Sequence, residues 1–189
     1  MDLAGPVQEI AAKLEAASLL YDTKPLTDCS GIFHRVLQGM KARCAGYDFP
    51  TPETYRDTRD LARWYHEHRE LILVRDALQD AELIKPGAVL FYGQRDTEYK
   101  DFTVDELLQK GTGINHMGVV VRVHRDPAGK IVRYELFHGH GTKGKTPAST
   151  TKWHQRNPRT GPPFGNGTEQ WVAFARLVTP SAKLLTERQ

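Results

Sequence analysis

Val7, Ile10, Leu14 and the Leu19-Leu20 pair punctuate a run of good helix formers, and their spacing predicts a helix over residues 6–20. An aperiodic stretch with a proline, residues 22–27, separates it from a second amphipathic segment. There Ile32, Phe33, Val36, Leu37 and Met40 recur at helical spacing, which predicts a helix that begins at Cys29 and ends near Gly46. Thr51-Pro52 opens a third, with proline at its first helical position; it carries Tyr55, Leu61, Trp64 and Tyr65 and is expected to run on through Leu78. Ala88-Val89-Leu90-Phe91-Tyr92, after Pro86-Gly87, reads as a short buried strand. Thr103-Val104-Asp105-Glu106 is a capping box for a short helix through Gln109. Residues 116–123 and 131–138 flank Arg125-Asp126-Pro127-Ala128-Gly129-Lys130, which is turn chemistry, so the two form a hairpin. Residues 139–169, rich in Gly, Pro and Thr, read as a long loop; 171–178 is a last strand, and the tail is polar. Helices first and antiparallel strands later predict an α+β domain.

Composition narrows this picture. The 189 residues are 39% hydrophobic and 26% charged, in keeping with one globular domain spanning 1–189, and no repeat or linker divides them. A net charge of +3 and a pI near 8.8 are too mild to argue for a nucleic-acid partner. No apolar run approaches the roughly eighteen residues of a membrane span. Met1-Asp2-Leu3-Ala4-Gly5 lacks the basic and apolar regions of a signal peptide, which leaves the export route open. Cys29 and Cys44 match neither a metal pattern nor a redox pair. Both fall on or near one predicted helix, whose rise separates them by roughly 20 Å, too far for a disulfide.

The chemistry concentrates in Asp28-Cys29-Ser30-Gly31. A thiol at a helix N-terminus lies near unpaired N–H groups and the positive end of the helix dipole, which favours thiolate over thiol and predicts a lowered pKa. The same N–H groups suit an oxyanion. A buried helix-start cysteine is the alternative. Of eight histidines, His34 is on the Cys29 helix but points elsewhere, His66 and His68 lie in a charged helical stretch, and His124 and His154 read as exposed. His116 and His138 sit at the open ends of the hairpin strands, near cross-strand neighbours, which suits a base and its orienting partner. A register slip would put His140 in place of His138. A zinc site from Cys29, His116, His138 and His140 would match no common spacing, so neither metal nor cofactor is expected.

Four stretches, in order, resemble one family. Asp28-Cys29-Ser30-Gly31-Ile32-Phe33 resembles the nucleophile motif of the NlpC-type papain-like cysteine peptidases and amidases of bacterial cell walls. Lys85-Pro86-Gly87-Ala88-Val89-Leu90-Phe91, His116-Met117-Gly118-Val119-Val120-Val121 and Leu136-Phe137-His138-Gly139 resemble that family's Pro-Gly strand, base-bearing strand and third motif. The resemblance implies a papain-like α+β fold, N-terminal helices carrying the nucleophile at a helix N-terminus and packed on a small antiparallel sheet. Insertions are expected near 52–82, 93–113 and 139–169. It implies that Cys29 is the nucleophile, His116 the base and His138 the orienting residue. Asp28 and Ser30 would bind a substrate amine, and Tyr21 would help hold the oxyanion. The implied activity is hydrolysis of an amide bond in peptidoglycan stem peptides, in the cell envelope or after secretion. Two rivals stand beside it. One is an antibacterial toxin with the same chemistry, which would require an immunity or inhibitor protein as partner. The other is a catalytically idle wall-binding domain, with Trp153, His154, Arg156 and Arg159 as a binding patch.

Overall fold

The computed structural model of the protein describes residues 2–22, 26–145 and 148–181. Part of the aperiodic stretch (23–25), residues 146–147 of the predicted loop and the polar tail beyond 181 lie outside the described residues. The chain is a mixed α+β fold. Among the described residues, helices α1 (Ala4–Ala16), α2 (Cys29–Lys41), α3 (Thr58–Glu67) and the short α4 (Val104–Leu107) accompany eight strands: β1 (Tyr47–Asp48), β2 (Ile72–Leu73), β3 (Ala88–Tyr92), β4 (His116–Arg125), β5 (Ile131–Gly139), β6 (Ser149–Gln155), β7 (Trp171–Arg176) and β8 (Thr179–Pro180). Six strands form one antiparallel sheet in the order β2-β7-β3-β4-β5-β6, and β1 pairs with β8 apart from it. Among the described residues no helix is long and apolar enough to cross a membrane.

Both faces of the sheet are covered. Val89, Phe91, Met117, Val119, Val121 and Phe137 pack in one core with the apolar faces of α1, α2 and α3. Leu90, Tyr92, Val120, Tyr134, Leu136 and Trp171 form a second core, closed by the 74–84 segment and Phe164. Central β3 is therefore buried at every position, which is why its sequence reads as an unbroken apolar run rather than an alternating one.

Helix boundaries differ from the expectation where local backbone chemistry intervenes. Ser18 turns left-handed (φ 46°), so α1 stops before the Leu19-Leu20 pair. Helix α2 ends at Lys41, short of Gly46. The third helix starts at Thr58, not at Thr51, because Asp57 caps it and forms a capping box with Asp60; 51–55 closes only a turn, through the Tyr55 N–H to the Thr51 carbonyl. It does not reach Leu78: Arg69 is left-handed (φ 58°), and Ile72 then pairs with Phe174. The predicted loop at 139–169 contains β6, which pairs with β5 from Arg133↔Gln155 to Gly139↔Ser149. As an edge strand β6 buries only Ser149 and His154 deeply, so no apolar alternation marks it.

Helix α2 is seated on the end of β5. Asp28 caps the helix by accepting the Gly31 N–H at 2.8 Å. Gly139 lies directly beneath: a Cβ there would come within 2.8 Å of both the Asp28 carbonyl oxygen and Cys29 Cα. Only glycine lets strand and helix approach so closely. Gly139→Ala is expected to cost about 1–3 kcal/mol, read as a lower urea midpoint. Gly5→Ala, where a Cβ meets open space, is the control. An unchanged midpoint for Gly139→Ala would contradict the close seat.

Candidate active site

Cys29 is the first residue of α2 and is half-buried. Its sulfur lies 3.5 Å from the hydroxyl of Thr58, the first residue of α3. Thr58, rather than His116, is the thiol's hydrogen-bond partner in this structure. Burial pushes the Cys29 thiol up, and the Asp28 carboxylate adds to it; the Thr58 hydroxyl, the Ser30 N–H and Arg56 pull the other way and lose. The expected lowering of this pKa is therefore corrected: desolvation outweighs the helix terminus. Cys29 and Cys44 are not joined in a disulfide.

His116 opens β4 and His138 stands next to last on β5. Their rings meet edge to face, with His116 Nε2 and His138 Nδ1 2.6 Å apart. The ladder sets this pairing. Val119 pairs with Phe137 and Val120 with Leu136, and a register shift between Val120 and Arg122 lets the strand absorb one residue. Counted from those pairs, His138 falls opposite Gly118 and diagonal to His116. A side chain at 118 would block the contact, since a Cβ would lie 2.9 Å from that of His138. Of the two histidines expected as alternatives, His138 reaches His116, while His140 Nε2 bonds Thr150 Oγ1.

Both rings of the pair are neutral. Burial lowers His116 to about 3, and the charges of His154, His140, Arg95 and Lys152 push the same way. Burial, then His116 and the other two histidines, hold His138 well below its ordinary value. His154 was expected at the surface but is buried, stacked on Tyr134 at 5.1 Å, with Nδ1 donating to the Gly165 carbonyl. His34 is buried elsewhere, its Nε2 donating to the Tyr55 carbonyl.

Cys29, His116 and His138 line one cavity of about 460 Å³, together with Tyr21, Asn115 and Glu169. Burial raises the Tyr21 phenol, and the nearby Cys29 and Asp28 groups raise it further, against the Cys29 backbone N–H and Arg56. Asp28 and Ser30 do not line this cavity. Arg56 holds them instead, with Nη2 at 3.0 Å from each Asp28 oxygen and Nη1 donating to Ser30 Oγ at 2.8 Å. The two residues expected to bind substrate are thus engaged within the protein. Sequence reasoning missed both Arg56 and Glu169. Glu169 is a buried carboxylate that accepts from Asn115 Nδ2 and Asn166 Nδ2 and lies 3.5 Å from Arg95 Nε. It stands in a turn-rich stretch without periodicity, where no sequence signal marks it. Among the described residues no cluster of His, Cys, Asp and Glu is arranged to hold a metal ion.

No family model, no curated protein and no solved structure matches this chain. Its own geometry brings together a thiol at a helix N-terminus, a neutral imidazole and a second imidazole bonded to the first. Such a set can pass a proton from sulfur to nitrogen and hold the receiving ring in place.

The neutral histidines tie stability to pH. His116 titrates at about 3 when folded and near 6.5 when unfolded, so on acidification the unfolded chain takes the proton first. The stability this group contributes is complete above 6.5 and is lost as pH falls from 6.5 to about 3. The melting temperature should drop through that window, and His116→Asn should flatten the drop. A profile that is flat from pH 7 down to pH 4 would show that the rings are not held neutral.

Proposed function

We propose that this protein is a papain-like cysteine hydrolase that cleaves an amide bond in peptidoglycan stem peptides. One observation carries the chemistry: the 2.6 Å bond between His116 and His138 in the cavity that Cys29 lines. The substrate class rests on the four motif resemblances, and it places the site of action in the cell envelope.

For His116 to serve as base, its Nε2–H donates to His138 Nδ1, which leaves Nδ1 of His116 for the thiol proton. The Cys29 sulfur attacks the substrate carbonyl carbon while His116 takes the proton. Because thiol and imidazole are both neutral at rest, this transfer accompanies attack rather than preceding it. The oxyanion faces the Cys29 backbone N–H and the Tyr21 hydroxyl. His116 then gives its proton to the departing amine, and the C–N bond breaks to leave a thioester. Water, deprotonated by His116, attacks the thioester; the acid leaves and the proton returns to sulfur.

A second reading, the catalytically idle wall-binding domain, is favoured by the thiol's contact with Thr58 and its raised pKa. Slow alkylation at neutral pH suits both readings, so turnover separates them. Cys29→Ala is expected to abolish release of fragments from purified peptidoglycan, followed by mass spectrometry of the muropeptides. His138→Ala should lower kcat roughly a hundredfold with little change in KM. Wild-type activity in Cys29→Ala would sink the mechanism; binding without any turnover in the wild type would favour the idle domain.

A further inference from the structure

A larger cavity, about 980 Å³, adjoins the one that holds Cys29. Arg95, Lys152 and Asn166 line both, so they form the wall between two neighbouring chambers. Arg159 and His154 also line the larger one, and Asp96 is the acidic residue among its lining. The cations there are poorly neutralised. Arg95 reaches Glu169, but that carboxylate already accepts from two asparagines. Neither Lys152 nor Arg159 has an acidic partner among the described residues, although charged side chains elsewhere on this surface are commonly paired. Unpaired cations gathered around a concave surface concentrate a positive potential and attract anions.

That potential extends to the catalytic rings. Arg95 and Lys152 both act on His116, and Lys152 also acts on His138, His140 and His154. The large chamber is therefore electrically continuous with the base, not a remote surface feature.

We propose that this basic chamber is a substrate subsite that takes a carboxylate-bearing segment of the peptide beside the scissile bond. Lys152 and Arg159 supply the charge-assisted hydrogen bonds, and the Arg95-Lys152 wall sets the spacing between carboxylate and nucleophile. The proposal rests on the hydrolase reading for its orientation. It adds a consequence: burial is the main reason His116 is neutral, and a seated carboxylate offsets the Arg95 and Lys152 charges that reinforce it, so the base strengthens when the correct substrate arrives. A peptide whose carboxyl groups are amidated would lose both the contacts and this effect.

Calorimetric titration of the full-length Cys29→Ala chain tests the subsite without turnover. The probes are two forms of a stem tripeptide, Ala-γ-Glu-diaminopimelate, one with free side carboxylates and one with those groups as carboxamides. At low salt the acid form should bind about tenfold more tightly. Adding Lys152→Gln and Arg159→Gln should bring the two within about twofold, and raised salt should close the gap in the parent chain. Lys152 and Arg159 are exposed, and an unchanged melting temperature verifies the fold of the variant. Equal binding of acid and amide, or a gap indifferent to both substitutions and salt, overturns the proposal. Turnover by the wild type is scored separately: a charge-dependent gap without turnover defeats the hydrolase reading and leaves the subsite, whereas turnover without a gap defeats the subsite alone.

Discussion

The close seat of α2 on Gly139 is the contact on which the site depends. It brings the first turn of a helix against the end of a strand, backbone to backbone, with no room for a Cβ. The strand that supplies Gly139 also carries His138, and its ladder with β4 places His138 against His116. One steric constraint thus links Cys29, His116 and His138, although they are far apart in sequence. The capping of α2 by Asp28 and the grip of Arg56 on Asp28 and Ser30 brace the same turn from the other side. Asp28 and Ser30, which the resemblance links to substrate binding, are both bonded to Arg56 at the start of α2.

The electrostatics of the site follow from its burial. Helix-terminus amides favour a thiolate, but desolvation and the adjacent Asp28 favour a thiol. Desolvation and neighbouring cations likewise keep His116 and His138 neutral. The thiol and the paired rings are therefore uncharged at neutral pH. His138 Nε2, buried without a hydrogen-bond partner among the described residues, is the price of this arrangement. The basic chamber adjoins rings that burial keeps neutral and that nearby cations hold further in that state.

Much of this was legible in the residues. The apolar runs of β3 and β7 and the hairpin turn marked the centre of the sheet, and the apolar period after Cys29 marked α2. The symmetry of His116 and His138 about the turn signalled their meeting, though not the register shift and the glycine at 118 that make it diagonal. Other features were hidden for physical reasons. The Pro52 signal competed with the stronger Asp57 cap, which only the structure decides. Strand β6 lies at an edge and buries few side chains, so its pattern is polar and its buried His154 looked exposed. Arg56 and Glu169 act through partners distant in sequence, and no local period reports such contacts.

The central claim is that Cys29 forms a covalent acyl intermediate. Hydroxylamine partitioning during turnover of muropeptides tests it directly, because a thioester is intercepted by that nucleophile even when it does not accumulate. The account predicts a hydroxamate product that grows with hydroxylamine concentration at the expense of the carboxylic acid. Cleavage that yields the acid alone at every hydroxylamine concentration would contradict it.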